Sequence, residues 1–442
     1  MQSYERLNRR WDLIVIGIIV NACLGTVYSW SVFRAPLEDV LAITAAQSGL
    51  PYSVFLGAFA FCMPVGGMLI DRIGPRSTLL MGGILVGAGW VSAGFAGALL
   101  PLILTYGIIG GAGVGLAYGV PLAVAGSWFP KRRGFAMGLT LAGFGVSPFV
   151  TAPLGELLIV RFGVQPAMSI LGAGFIVIIG AFTAAFRRGP EPVSGEDAEA
   201  AEVEALPDAP AHGAAPTHAG TPTHAGAHAP GGTNARAAAR AATEVPPGAM
   251  LRTRNFYGLW ICYAIGTLAG LTAIGMTAPF GQEVAGLSAP AAAAAVAAFG
   301  VLNGVGRPIF GALHDALGTR RSVVLSFGLI AIAAAASLLA GSTAAVPFFI
   351  GFGLFWLMLG GWLAIAPAAT TRLFGARNYA RNYGIMYTAY GVGALIGGSA
   401  FSALYARFGS YSPMFVFILA LCAVGVLLSV VLLRPAPSAG AS

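Results

Sequence analysis

GGMLIDRIGPRS (residues 66–77) and GALHDALGTRRS (residues 311–322) share one frame at identical internal spacing. Gly67, Asp71, Gly74 and Arg76 in the first copy match Gly311, Asp315, Gly318 and Arg320 in the second. Each copy lies between two long apolar runs. A frame that recurs in matching context marks an internal duplication, and in a membrane chain it predicts two related halves about an axis along the membrane normal. The glycines are expected to let helix ends pack closely. The Asp is expected to take a helix N-terminus or a basic partner, making a latch that breaks and reforms.

Working outward, apolar runs recur along the whole chain. Twelve are read: Asp12 to Phe33, Pro51 to Ile70, Ser77 to Leu99, Pro101 to Ser127, Gly134 to Val160, Gln165 to Phe186, Phe256 to Pro279, Pro290 to Leu313, Ser322 to Ala340, Ala344 to Thr370, Asn382 to Ala403 and Tyr411 to Leu433. Each is about long enough to span a hydrocarbon core of roughly 30 Å at about 1.5 Å per residue. With 57% hydrophobic and 9% charged residues and a mean hydropathy of +0.81, the chain is too apolar for a soluble core and reads as a polytopic membrane protein. The first run has no small-residue cleavage site after it, so it is expected to be a membrane span, not a removed signal.

The basic residues set an orientation. With the N-terminus cytoplasmic, Arg72, Arg76, the Lys131 to Arg133 cluster, Arg187, Arg188, Arg252, Arg254, Arg320, Arg321, Arg372, Arg377, Arg381 and Arg434 share that side with Arg6, Arg9 and Arg10. Arg34, Arg161 and Arg407 remain on the other. This asymmetry predicts both termini in the cytoplasm and an even number of spans in an inner or plasma membrane. It also accounts for the net charge of +8 through contact with anionic lipid, with no nucleic-acid partner. Cys23, Cys62, Cys262 and Cys422 all fall inside apolar runs and read as small core residues.

One segment interrupts the pattern. From Arg188 to Met250 the chain turns to Ala, Pro, Gly, Glu and Thr, with acids in its first half and His212, His218, His224 and His228 later. Such a composition cannot bury enough apolar surface to order itself and predicts a disordered cytoplasmic linker. The histidines read as alanine-rich low complexity in preference to a metal site, because a floppy chain imposes no ligand geometry. No resident metal or cofactor is expected. The expected organisation is residues 1–187 as one six-helix bundle, 188–250 as the linker and 251–442 as a second bundle: an all-α membrane protein of twelve transmembrane helices in two pseudo-symmetric halves.

The G-x-x-x-D-R-x-G-x-R loop from Gly67 to Arg76, with its degenerate copy after the eighth run, resembles the signature of the major facilitator superfamily. More narrowly, GTVYSWSVFRAPL (Gly25 to Leu37), GLAYGVPLAVAGSWFPKRRGFAMGL (Gly115 to Leu139) and NYGIMYTAYG (Asn382 to Gly391) resemble the oxalate/formate antiporter family and its bacterial lactate-transporting relatives. The resemblance covers both membrane halves but not the linker. It implies alternating access around a site at mid-depth, in a fold usually self-sufficient as a monomer.

Arg307 stands inside the eighth run, with no acid nearer than Asp315. A cation there costs several kcal/mol unless it meets a partner or a water-filled cavity, so by default it marks a functional site. Its planar fork can take a carboxylate bidentately. The resemblance likewise implies that an arginine at this place binds the carboxylate of the transported anion; the competing role is capping of backbone carbonyls. Asn303, one turn earlier on the same face, is placed to orient Arg307 or bond the substrate. Eukaryotic-type monocarboxylate carriers carry an Asp at about that place, and its absence weakens a proton relay there.

In the eleventh run Tyr383, Tyr387 and Tyr390 form one stripe, either core packing or a hydroxyl-bearing wall. Oxalate/formate antiporters typically carry a Lys where this chain has Tyr390. One cation balances a monocarboxylate, whereas an oxalate dianion leaves a buried charge unpaired at a cost of several kcal/mol. Tyr28 and Tyr118, inside the family-like motifs, are further wall candidates, as are Trp30, Trp356 and Trp362.

There is no Walker-type phosphate loop, and no His, Asp or Ser cluster suited to intramembrane catalysis. Glu156 and Glu283, toward the outer ends of their runs, are the only acids well inside the membrane halves and are the candidates for proton coupling. The expected function is secondary transport of a small organic anion, most simply a lactate- or pyruvate-like monocarboxylate, by proton symport or anion exchange, and not an enzymatic reaction. Oxalate/formate exchange is the alternative within transport; a non-transporting receptor signalling through the linker is the alternative of another class.

Overall fold

The computed structural model describes residues 2–129, 133–186, 245–340, 345–375 and 378–433. Described residues outside helices form only turns, bends and short connections; none lies in a strand. This is what hydrocarbon demands: with no water to accept a backbone hydrogen bond, a spanning segment must satisfy its own N–H and C=O groups.

In the first half, α1 (Gln2–Leu24) passes through a 3₁₀ turn (Gly25–Ser29) into α2 (Trp30–Leu41). A one-turn α3 (Ala45–Ser48) leads to the long α4 (Leu50–Ala93). After α5 (Leu99–Leu102) and a π-helical stretch (Ile103–Gly110) come α6 (Gly111–Trp128), α7 (Arg133–Phe162) and α8 (Val164–Thr183). The second half holds the short α9 (Pro247–Met250), then α10 (Arg254–Glu283), α11 (Ala289–Leu338), α12 (Ala345–Phe374), α13 (Tyr379–Phe408) and α14 (Ser412–Leu432).

Among the described residues, ten helical stretches are long and apolar enough to cross a membrane. Two of them, α4 with 44 residues and α11 with 50, are too long for one crossing, since 50 residues rise about 75 Å. Each breaks once, α4 at Gly74 (φ 85°, ψ 165°) and α11 at Gly318 (φ 76°, ψ 169°). The two dihedral pairs agree within about 10°, and each break separates two of the apolar runs read from the sequence.

The reason for the glycines differs from the expected close packing. A Cβ built at Gly67, Gly74 or Gly311 would meet nothing within 4 Å, and only Arg372 lies near Gly318, at 3.6 Å. Gly74 and Gly318 are demanded by their positive φ, in a region almost closed to other residues. The tightly packed glycine of the motif is Gly66, against the carbonyls of Gly115 and Leu116 on α6. Arg76 donates to the Ala184 carbonyl just past α8, within its own half. Asp315 is exposed, 3.8 Å from His314 Nδ1, and Arg320 is exposed.

The halves meet mainly along two seams, α4 against α13 and α7 against α11, and also where α2 packs on α10. Shifting every span by one half-repeat turns the first seam into the second, so the duplication read from the sequence reappears as the symmetry of the interface. Linker-side contacts gather at one end: Val245 N–H donates to the Phe374 carbonyl (2.9 Å) and Asn382 Nδ2 to the Val245 carbonyl (2.9 Å). Residues 245–250, read from composition as the end of the linker, are therefore docked on the second half, with Met250 buried. The four linker histidines lie outside the described residues. The opposite end, called distal below, carries the α2–α3 turn and the starts of α11 and α14. Outward faces are apolar, as with Phe95, Val160 and Leu339, each more than 70% exposed without lipid. Cys23, Cys262 and Cys422 are buried and Cys62 is half-buried, all four as free thiols.

Candidate functional site

The centre of the molecule is built where four interrupted or closely packed elements converge. A 3₁₀ turn at Gly25–Ser29 lies inside the first span, the kind of mid-helix stretch that often marks a hinge or a sequence under strain. Gly25 sits so close to the Phe144 backbone on α7 that a Cβ there would collide with it. This approach lays the Tyr28 ring edge-on to Phe144 at 5.1 Å and to Trp356 of α12 at 6.2 Å. On the other side of the seam Gly360 of α12 fits directly against the Asn303 backbone, so α11 and α12 touch at Asn303.

Arg307 is 5% exposed and reaches across the seam between the halves. Nη1 donates to the Leu141 carbonyl of α7 at 2.6 Å and Nη2 to Asn303 Oδ1 at 3.3 Å, while Nε has no partner. Asn303 is pinned in turn by donation from Nδ2 to the Trp356 carbonyl at 3.1 Å. Of the two roles weighed for Arg307, one donor here caps a carbonyl, but that carbonyl belongs to the opposite half and is lost if the seam opens. Among the described residues no carboxylate pairs with the guanidinium. Its charge rests on neutral acceptors, the arrangement expected where an anion is a visitor.

Tyrosines pack beside this cluster. Tyr28 Oη and Tyr390 Oη are 3.0 Å apart, a hydrogen bond joining the first half to the second. Tyr387 stacks on Tyr390 at 5.0 Å, and the Tyr118 ring faces Tyr387 at 6.3 Å. Arg307 is near enough to act electrostatically on Tyr28, Tyr118 and Tyr383. Phe59 packs against Tyr118, Tyr387 and Tyr390 at 5.1 to 5.8 Å and closes the apolar side. The stripe on α13 is thus both core packing and a row of hydroxyls along one wall.

The structure brings together Arg307, Asn303, Tyr28, Tyr118, Tyr387 and Tyr390. It does not place Trp362 with them: its indole stacks on Tyr263 at 6.0 Å and leans on Phe327 at 5.6 Å, in a gap that Gly266 leaves open. The wall tryptophan is Trp356, whose Nε1 donates to Thr277 Oγ1 at 3.0 Å. Glu156 is half-buried on α7, and Glu283 is exposed at the distal end, accepting from Tyr411 at 3.0 Å and Tyr405 at 3.4 Å. Neither reaches the Arg307 cluster. Sequence reasoning missed Phe59, Phe144 and the Leu141 carbonyl, because an apolar ring or a backbone oxygen carries no pattern that separates a chamber wall from ordinary core.

Comparison with known proteins agrees with this architecture. The chain is 27% identical over 411 residues to the oxalate:formate antiporter of Oxalobacter formigenes, covering 92% of this chain and 88% of that one. It is 29% identical over 168 residues to monocarboxylate transporter 12 of Rattus norvegicus, a match spanning 38% of this chain and about a third of the relative. A bacterial homolog of the human lysosomal transporter Spinster, solved inward-facing and unoccupied, superposes with a TM-score of 0.61 over 95% of this chain and 93% of its own, at 17% identity. The Major Facilitator Superfamily model matches residues 14–368, and the chain belongs to that family of transporters.

Proposed function

We propose that the protein carries a small monocarboxylate, of the lactate or pyruvate kind, across the membrane by alternating access. One observation carries this reading: a buried guanidinium at the seam between the halves, held by an amide and a carbonyl, with no acidic partner among the described residues and tyrosine hydroxyls around it. A carboxylate that displaces the Leu141 carbonyl from Nη1 replaces a neutral acceptor with a charged one, and charge-assisted bonds are roughly twice as strong. Arg307 and Asn303 hold the carboxylate, Tyr28, Tyr118, Tyr387 and Tyr390 bound it, and residues 1–187 and 251–442 rock as bundles about it, tethered by 188–244, with 245–250 docked on the second bundle. At the linker-side turns Gly74 and Gly318 supply the positive-φ breaks, and Arg76 ties its turn to the Ala184 carbonyl through that motion.

The transporter acts as a monomer in the inner or plasma membrane, both termini cytoplasmic. An empty site with an uncompensated Arg307 resists reorientation, which favours anion exchange; symport, in which a proton travels with the substrate, is the other mechanism. Oxalate:formate exchange is favoured by the relative aligned over 92% of the chain. Against it stands the single cation of the chamber, since a dianion leaves one buried charge unpaired.

Uptake of radiolabelled lactate and of oxalate into proteoliposomes, each with and without an inward proton gradient and internal formate, tests the reading. Lactate uptake driven by the gradient, or by internal lactate, supports it. Oxalate uptake that needs internal formate overturns it in favour of oxalate:formate exchange.

A further inference from the structure

Arg34, on α2, is 1% exposed, and its guanidinium donates to three hydrogen-bond partners. Nε donates to Ser48 Oγ at 2.9 Å and Nη2 to the Ala45 carbonyl, both within its own half. Nη1 donates to the Gly275 carbonyl of α10 at 2.9 Å, in the other half, and the guanidinium lies 5.5 Å from the Phe401 ring of α13. Glu38, one turn along α2, stands 3.7 Å from Nη2 and accepts from Ser48 Oγ. Beside Arg34 is a small cavity between the halves, lined also by Tyr52, Ser53, Thr272, Gly275 and Phe401. Two buried hydroxyls of that lining, Tyr52 Oη and Thr272 Oγ1, have no hydrogen-bond partner.

We propose that Arg34 and Tyr52 form a second anion site at the distal mouth, which a small carboxylate occupies as the distal face opens. When the halves part, the Gly275 carbonyl leaves Nη1. The bonds to Ser48 and Ala45 travel with α2 and keep the guanidinium aimed into the cleft. Nη1 is then a charged donor beside Tyr52 Oη, which lies in the same half and already lacks a partner, and a carboxylate supplies acceptors for both. Glu38 offsets part of the charge from the opposite edge, which keeps the site weak enough to release its ligand inward. Arg34 lies six residues beyond Tyr28 along one span, roughly 9 Å at the helical rise, so the site precedes the Arg307 chamber on one path. On closure the Gly275 carbonyl retakes Nη1 and the anion moves on.

The proposal rests on the transport reading, and two measurements keep their failures apart. In oriented proteoliposomes, Arg34→Gln is expected to raise the KM for lactate entering from the distal face about tenfold and to change the KM from the linker face less than twofold. Arg34→Lys restores most of the loss. A change in maximal rate with the two KM values moving together means that Arg34 is only a clamp and overturns the site. Acetate binding to purified Arg307→Ala protein, by calorimetry at millimolar concentration, is the second. Weak binding that disappears in Arg307→Ala/Arg34→Gln supports the site even if wild-type protein carries no lactate. No binding, or binding indifferent to Arg34, overturns it.

Discussion

Arg307→Ala separates the two possible roles of the guanidinium. Truncation removes a donor to the Leu141 carbonyl at 2.6 Å and one to Asn303 Oδ1 at 3.3 Å. Each acceptor left unpaired costs about 1–3 kcal/mol, but the Leu141 carbonyl can keep a helical N–H, and deleting a buried cation returns its desolvation cost of several kcal/mol. These contributions oppose each other, so thermal stability in detergent is expected to fall by no more than about 2 kcal/mol. Substrate affinity has no such compensation. Removing one partner of a buried charge pair costs about 2–5 kcal/mol, which at about 1.4 kcal/mol per decade weakens lactate binding roughly 30-fold to several-thousand-fold. Arg307→Lys keeps the charge without the planar fork and falls between. Equilibrium binding by tryptophan fluorescence, paired with a melting curve, reads both quantities. An Arg307→Ala protein that binds lactate within about threefold of wild type, or one that melts as if unfolded, refutes the assignment of this residue to the substrate.

Three further outcomes follow from the geometry. The Tyr28–Tyr390 hydroxyl bond joins the halves at 3.0 Å, so Tyr28→Phe and Tyr390→Phe each weaken the closed state and share a coupling of about 0.5–1.5 kcal/mol in a double-mutant cycle on stability; zero coupling refutes the bond. A Cβ on Gly145 would sit 2.8 Å from Asn303 Oδ1 and 3.0 Å from Gly304 Cα, so Gly145→Val wedges the α7–α11 seam, and lactate counterflow should be lost at normal expression; unaltered counterflow would show that this seam never closes. Gly318→Ala forces an L side chain into φ 76°, ψ 169° and should lower stability by about 1–3 kcal/mol, whereas Gly311→Ala, helical and with open space around it, should leave the melting temperature unchanged or raise it slightly. Equal effects at the two glycines would contradict the assignment of strain to Gly318.

The membrane class, the duplication and the central arginine were legible in the chain because each rests on a local rule. Apolar runs of spanning length have no stable alternative in hydrocarbon, a repeated frame between matching runs needs no coordinates to be seen, and a lone intramembrane cation is costly wherever it lies. Tertiary structure alone decided which side chains stand together. Tyr28 and Tyr390 are 362 residues apart in sequence, and Arg307 finds Leu141 across the seam; no local pattern encodes such neighbours, because they arise from the packing of one half against the other. The same limit explains why Trp356 and Trp362 read alike in the sequence: both lie on α12, and only the packing shows that Trp356 meets Tyr28 while Trp362 meets Tyr263 and Phe327. It also explains Arg34, which in sequence is one of three basic residues on the sparse side. It becomes a distinct feature only when Ala45, Ser48 and Gly275 surround it, since a charge and its acceptors can be distant in the chain yet adjacent at an interface.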